Sequence, residues 1–254
     1  AINDNPGWYY ELGNDIDCSD TRNWHGGDGL EQLVIGTELK GNNHTISHIY
    51  MDTDYTGVMH VDSNALVDGV NLRDVDLTCH SSYCGGFSRY NYGTINQNSI
   101  TGTLNCGGTC GGFASQQSAI ISESWAGLTI NGSSRASGFA GHSSNGKVIN
   151  SYFRGYLATG DGGGIVGLND GWNDVGMVDT SYAANTFSDN TYQPGGLIGW
   201  QYKGDQARSY WDAELSGLDV MCGQGGTNCQ NDHGLTTAEM KTQASFVDWD
   251  FADV

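Results

Sequence analysis

Apolar residues occur along this chain in short runs that are separated by Gly, Asn, Ser and Asp, without helical periodicity. Short apolar runs bounded by turn residues are typical of β-strands. A triplet of a small residue, Gly and an apolar residue recurs, and its first four copies stand 26 positions apart. The copies are Gly85-Gly86-Phe87, Gly111-Gly112-Phe113, Ser137-Gly138-Phe139, Gly163-Gly164-Ile165 and, after a longer step of 32, Gly195-Gly196-Leu197. A weaker copy, Thr56-Gly57-Val58, precedes them.

Each unit contains two further strand-like runs after its triplet. One begins at a polar turn, clearest in Asn150-Ser151-Tyr152, Thr180-Ser181-Tyr182 and Arg208-Ser209-Tyr210. Another carries an apolar residue at Leu104, Ile130, Leu157 and Phe187. A fixed period of 20 to 50 residues indicates a repeat architecture, because a unit this small buries its apolar face only against its neighbours.

We therefore predict an all-β fold, a parallel β-solenoid in which one repeat forms each coil. Its buried ladder consists of Phe87, Phe113, Phe139, Ile165 and Leu197. We expect about six coils in a single domain. Residues 1–50 form an N-terminal cap and first coil, 51–200 the repeat coils, and 201–254 a disulfide-pinned closing segment.

The triplets continue into a second glycine in Ala140-Gly141, Val166-Gly167 and Ile198-Gly199, and this pattern resembles the GLUG repeat. Segments at both ends of the chain resemble that family too. They are Tyr10-Glu11-Leu12, Asp15-Ile16-Asp17-Cys18, the stretch 39–46, Ser209-Tyr210-Trp211-Asp212, the stretch 234–241 and Trp249-Asp250-Phe251. Arg89 and Ser115 depart from the family pattern, since they stand where the second glycine is expected.

The resemblance implies a right-handed, β-helix-like solenoid in secreted or cell-surface proteins of bacteria and archaea. The repeat occurs there as a module of large adhesins and surface proteases. It has no family-wide catalytic residue, so the resemblance assigns no catalytic residue to this chain.

The charge of the chain excludes some partners. The 254 residues include 29 Asp+Glu against ten Lys+Arg, which gives a formal net charge of −19. A phosphate backbone would be repelled, so we expect no nucleic-acid partner. The apolar runs are too short for a membrane-spanning helix, so we expect no membrane insertion. An acidic secreted protein is the favoured interpretation, a halophilic one the alternative, and the absence of an export signal before Ala1 suggests a mature secreted form.

Seven cysteines bear on the compartment. Six form close pairs, and Cys18 is left over; the pairs are Cys79/Cys84, Cys106/Cys110 and Cys222/Cys229. We predict disulfides and an oxidising, extracellular or cell-surface location. Zinc is the rival interpretation, but CxxC spacing is missing. Cys84 and Cys110 occupy equivalent positions in successive repeats. The disulfides could therefore form within each close pair or between successive coils, and we favour bridges within each pair.

We expect no required cofactor, but oxygen-rich turns are candidate sites for structural calcium. The turn with Asn169, Asp170, Asn173 and Asp174 could hold structural calcium. Asp15, Asp17 and Asp20 resemble the start of a calcium loop, but a bidentate Glu is missing, so turn capping is favoured there.

Aromatic residues that follow the triplets are candidate glycan-binding residues, because sugar rings stack on aromatic faces. They are Tyr90, Trp172, Trp200 and Tyr202. The alternative is that these aromatic bodies cover the edge of the core. Ice binding would need threonines in register on a flat face, and we expect no such register, so it is a minor alternative.

The favoured function is non-catalytic: a structural or adhesion protein that associates with its own copies or with other surface proteins, as a filament or surface-layer subunit, or binds a surface. This function is favoured because an exposed strand edge can pair with a strand of another chain. The alternative is a polysaccharide-active enzyme or a glycan-binding module. A lyase would use Arg89 or Arg154 as base and a glycosidase would use two carboxylates, but the sequence does not gather these into one set.

Overall fold

The chain forms a parallel β-solenoid of about eight turns, which confirms the predicted fold class. The computed structural model describes residues 2–54, 57–171, 176–226, 228–229 and 231–251. The predicted number of six coils is too low. Strands before residue 57 form further rungs although they lack a complete glycine triplet, and the segment after residue 204 adds another at the opposite end.

Three faces and one corner ladder run along the solenoid, and neighbouring strands within each are parallel. Face 1 consists of Leu33–Ile35, Met59–Val61, Ser88–Asn91, Ala114–Gln117, Ala140–Ser143, Val166–Asp170, Ile198–Lys203 and Cys222–Gly225. Face 2 consists of Tyr9–Glu11, Glu38–Lys40, Leu66–Asp68, Thr94–Asn96, Ile120–Ser122, Lys147–Ile149, Met177–Asp179 and Asp205–Ala207.

Face 3 has the longest strands. It consists of Ile16–Asp17, Thr45–Ser47, Asn71–Cys79, Ser99–Cys106, Trp125–Gly132, Tyr152–Ala158, Tyr182–Phe187, Tyr210–Asp212 and Gly234–Leu235, with Tyr50–Thr53 beside Asn71–Cys79. The corner ladder links faces 3 and 1 and consists of Tyr83–Gly85, Thr109–Gly111, Arg135–Ser137 and Asp161–Gly163. Short helical turns lie near the two ends: Ser19–Gly27, Ala213–Ser216, Asn231–His233, Glu239–Lys241 and Gln243–Ser245.

The predicted apolar ladders lie in the core. The rings of Phe87, Phe113 and Phe139 stack with centroid distances of 5.3 and 4.8 Å, and Ile165 and Leu197 continue the fully buried row. On face 3, Leu104, Ile130, Leu157 and Phe187 pair in register from strand to strand. The repeat period therefore sets the register, since equivalent residues occupy equivalent positions in successive turns.

Buried polar residues line the corner between faces 2 and 3. The backbone N–H groups of Ser124, Ser151 and Ser181 each donate to the hydroxyl of the equivalent serine in the next turn, at 3.2 Å. Each hydroxyl donates in turn to the carbonyl two residues earlier in its own turn, at 2.7–2.8 Å. The row ends at Ser209 and satisfies backbone groups that the strands leave unpaired at this corner.

The three disulfides are local, as favoured from the sequence: Cys79–Cys84, Cys106–Cys110 and Cys222–Cys229. Cys18 is free and half-buried, and burial raises the pKa of its thiol. Disulfides of this kind indicate a non-cytoplasmic protein. None of the helices in the described ranges is long and apolar enough to cross a membrane.

The two ends of the solenoid differ. The segment that includes Phe246 and Trp249 folds back onto face 3 and packs against Tyr182 and Tyr210. Burial, reinforced by the phenol of Tyr152, raises the pKa of Tyr182 to about 12. At the opposite end, the aromatic side chains of Trp8, Tyr9 and Trp24 are exposed, those of Trp8 and Tyr9 by 63% and 77%.

A candidate ligand-binding face

The outward side of face 1 carries most of the predicted glycan-binding residues that the structure describes. Tyr90, Gln116, His142, Leu168 and Trp200 pair in register on successive strands and form one outward row. Tyr90 and Trp200 are four rungs apart, about 19 Å at the usual strand spacing. They therefore share a row but occupy different patches. Trp172 lies outside the described residues.

The Tyr90 patch is a cluster of rings. Tyr90 stacks on Tyr92 with centroids 6.1 Å apart, and the ring of His60 lies 6.0 Å from Tyr90. The guanidinium of Arg89 lies 4.7 Å from the centre of the Tyr90 ring. Arg89 stands where the repeat pattern expects a glycine, so this departure from the repeat contributes the cation of the patch.

Trp200 and Tyr202 form the second patch. They are two residues apart on the strand Ile198–Lys203, where alternate side chains point the same way. Trp200 is 37% exposed and Tyr202 is 58% exposed. The ammonium of Lys203 lies 5.8 Å from the centre of the Tyr202 ring.

Arg135 reaches this patch from the corner ladder. Its guanidinium carbon lies 5.7 Å from the centre of the Trp200 ring. Its stem crosses Gly167, where an added Cβ would lie 2.9 Å from Cγ of Arg135. The second glycine of the repeat thus leaves the space that the arginine stem occupies. The Nε–H of Arg135 is buried and donates no hydrogen bond to any described residue.

His142 and Asp170 lie beside Arg135 on the same face. Nε2 of His142 lies 3.7 Å from Oδ2 of Asp170 and 3.1 Å from the hydroxyl of Ser144. Burial lowers the pKa of His142, which Asp170 opposes and the charge of Arg135 reinforces, so the imidazole is neutral at pH 7. In a Ser-His-Asp relay the two partners use different ring nitrogens, whereas here both approach Nε2. Ser144, His142 and Asp170 therefore do not have the arrangement of such a relay.

The described residues of the predicted calcium turn point to opposite sides of face 1. The side chain of Asn169 is buried in the core and donates from Nδ2 to Oε1 of Gln201 at 3.1 Å, whereas Asp170 faces outward near His142. Asn173 and Asp174 lie outside the described residues. The described residues contain no group of three or more His, Cys, Asp or Glu able to hold a metal. Structural calcium at this turn stays a prediction.

Of the aspartates near the N-terminus, Asp17 caps its own turn, whereas Asp15 accepts from a residue in the next turn of the solenoid. Asp15 accepts from the backbone N–H of Thr45 and from His44, and Asp17 accepts from Ser19 and His48. These hydrogen bonds, the backbone ones above all, hold the pKa of both carboxyls below the usual range.

Two other expectations concern face 3. Arg154 lies there, whereas Arg89 lies on face 1, so the structure does not bring these two lyase candidates together. Thr103 and Thr129 pair in register on face 3, so the expectation that no threonines repeat in register is wrong for this pair. Tyr156 occupies the next position of the row, which ends the threonine run after two rungs.

Sequence reasoning singled out Trp200 and Tyr202 as glycan-binding candidates and Asp170 as a calcium candidate, but it did not single out Arg135 or His142. The available signal was the position of Arg135 in its repeat. It is a cation two residues before the triplet Ser137-Gly138-Phe139, where the other triplets are preceded by Tyr83, Thr109, Asp161 and Gln193.

The fold is shared with two solved structures. One is the crystal structure of a "putative immunoglobulin A1 protease" from Bacteroides ovatus, with a TM-score of 0.67 and 19% identity over 95% of this chain and 81% of that one. The other is named IgA1 Protease, with a TM-score of 0.58 and 17% identity over 84% of this chain but only 18% of that one. At these identities the likeness shows the fold alone. Comparisons with protein-family models and with curated proteins find no match.

Proposed function

We propose that this chain is a non-catalytic, extracellular binding module that holds a glycan on the outward side of face 1. The observation that carries the proposal is the patch of Trp200, Tyr202, Arg135 and His142–Asp170. It combines exposed rings with planar polar groups from three successive rungs of face 1, and Arg135 joins them from the corner ladder.

Such a patch suits a sugar for a physical reason. The C–H face of a sugar ring stacks on an aromatic side chain, while its hydroxyls need donors and acceptors that lie in fixed positions. Parallel strands hold Trp200 and His142 rigidly, and a site on strands is positioned more accurately than one on loops. Rigid positioning limits the entropy that is lost when the ligand binds.

The location and the role as a module have separate support. Three disulfides, the excess of acidic residues and the resemblance to GLUG repeats favour a secreted or cell-surface protein. In the structure named IgA1 Protease, the matching part is 18% of the chain, so this fold occurs there beside other parts. A binding module attached to other domains is consistent with that arrangement.

A glycan panel tests the proposal. We expect the protein to bind at least one oligosaccharide, and Trp200→Ala to weaken that binding about tenfold or more, which corresponds to about 1.4 kcal/mol. Binding is measured by calorimetry, and the fold is checked by circular dichroism. The matched control is Trp24→Ala, an exposed tryptophan outside face 1. Equal losses in the two variants, or no binding to any neutral or acidic glycan, would contradict the proposal.

A second candidate function is self-association through the N-terminal end. Tyr9–Glu11 is the terminal strand of face 2 and pairs with Glu38–Lys40 on one side only within the described residues. Trp8, Tyr9 and Trp24 are exposed at this end. An open strand edge beside exposed rings favours contact between copies.

A further inference from the structure

We infer that the face 1 site selects sugars that carry a carboxylate, and that Arg135 binds this group. The inference rests on the proposed glycan-binding function and adds the class of ligand. Its starting point is that Arg135 has no ion-pair partner among the described residues, although the chain has 29 acidic residues.

Arg22 and Arg208 have acidic partners, whereas Arg135, like Arg73 and Arg154, forms no ion pair within the described residues. What distinguishes Arg135 is its place beside Trp200. Asp161 occupies the equivalent position on the next strand, yet Arg135 forms no ion pair with it. In a protein with net charge −19, a guanidinium held apart from the available carboxylates is suited to an anion that arrives from outside.

The position of Arg135 suits a carboxylate that is carried on a sugar ring. Its stem is held over Gly167 and its Nε–H is buried, so the terminal nitrogens extend toward the Trp200 ring, 5.7 Å from the guanidinium carbon. A guanidinium matches a carboxylate with two parallel hydrogen bonds. A sugar ring stacked on Trp200 would place a carboxylate on that ring beside Arg135. One ligand thus satisfies the aromatic and the cationic group together.

The surrounding charges favour an isolated carboxylate over a dense polyanion. The net charge of −19 repels a highly charged chain at long range, whereas one carboxylate needs only the local arginine. The low pKa of His142 leaves it neutral, so it adds a hydrogen-bonding group and no charge at pH 7. Asp170 lies 3.7 Å from His142 and forms no ion pair with Arg135 within the described residues.

Paired oligosaccharides test this selectivity. The probes are oligogalacturonates, hyaluronan oligosaccharides and sialyllactose. Each is compared with a neutral counterpart: the carboxyl-reduced oligomers for the first two, and lactose for the third. We expect at least one carboxylated probe to bind at least tenfold more tightly than its counterpart. We expect Arg135→Gln to remove that difference.

The variants separate the inference from the proposed function. Trp200→Ala is expected to weaken the carboxylated and the neutral sugar alike, and Arg154→Gln, an exposed arginine on face 3, should change neither. Thermal unfolding of Arg135→Gln and Arg135→Lys establishes that both fold. Equal binding of the two members of every pair would overturn the inference and leave the glycan-binding function standing. Tighter binding of a sulfated oligosaccharide than of any carboxylated probe would do the same. If the unmodified protein binds none of these sugars and no glycan of the panel, both the inference and the proposed function are overturned.

Discussion

At the scale of single residues, the corners of the solenoid depend on buried polar side chains. A chain that turns a corner at every face leaves backbone N–H groups without strand partners, and such groups are costly when buried and unpaired. Ser124, Ser151, Ser181 and Ser209 supply partners at one corner. At another corner, Asn91 and Gln117 form a buried amide pair at 2.9 Å. The serines are visible in the repeat, but their inward orientation becomes evident only when the corner is known.

Removal of one hydroxyl from the serine row should destabilise the fold. Ser181→Ala leaves the N–H of Ser151 without its acceptor and removes the hydrogen bond to the carbonyl of Asp179. Because the site is fully buried, we expect the free energy of unfolding to fall by about 1–3 kcal/mol. Chemical denaturation measures the loss. The control Ser63→Ala, at an exposed turn position, should change stability by less than about 0.5 kcal/mol. A loss no greater than that of the control would contradict the role of the row.

At the scale of elements, the glycine triplets and the side chains of face 3 are complementary. The middle glycines leave room for the face 3 residues that point inward: an added Cβ would lie 2.1 Å from Cγ of Phe153 at Gly138, and 2.4 Å from the indole of Trp211 at Gly196. In this row the small Ala183 separates the two large residues, whereas the parallel rings of Phe87, Phe113 and Phe139 stack directly from turn to turn. The sequence period predicted the register, whereas this alternation of size depends on which residues of face 3 point inward.

Filling the space at Gly138 tests this packing. Gly138→Ala would place its Cβ against the base of the Phe153 ring, which is buried on all sides and cannot move away like the end of a flexible side chain. We expect a loss of about 1–3 kcal/mol or more in the free energy of unfolding. Gly13→Ala is the control, because nothing lies within 4 Å of its added Cβ. A stability for Gly138→Ala equal to that of the control, measured by denaturant titration, would show that the core adapts.

At the scale of the whole molecule, much of the fold but only part of the site could be predicted from the sequence. The 26-residue period predicts parallel rungs, and the fixed offset of Phe87, Phe113 and Phe139 predicts their stack. The patch on face 1 is harder to predict, because Arg135 belongs to the corner ladder and meets Trp200 only through the coiling of the chain. The number of turns was underestimated because pairing at the ends needs no glycine triplet.

The proposed self-association depends on the N-terminal end of the solenoid. The N-terminal end combines the open edge of Tyr9–Glu11 with the exposed rings of Trp8 and Tyr9. Asp17 lies on the first strand of face 3, and Asp15 precedes that strand. Apolar contact between two such ends is favourable, while the like charges of the carboxylates oppose it. Salt screens that repulsion, so we expect association to strengthen as ionic strength rises.

Sedimentation velocity across protein and salt concentration measures this association. Tyr9→Lys adds a charge to the edge strand, which disfavours strand pairing between copies, so we expect it to keep the protein monomeric at salt concentrations where the unmodified chain associates. Tyr192→Lys is the matched control, since Tyr192 is also an exposed tyrosine but lies outside the N-terminal strand. Association that persists in Tyr9→Lys, or that weakens with salt, would place the contact elsewhere. A chain that stays monomeric at every salt concentration would exclude self-association through this end and leave glycan binding as the remaining proposal.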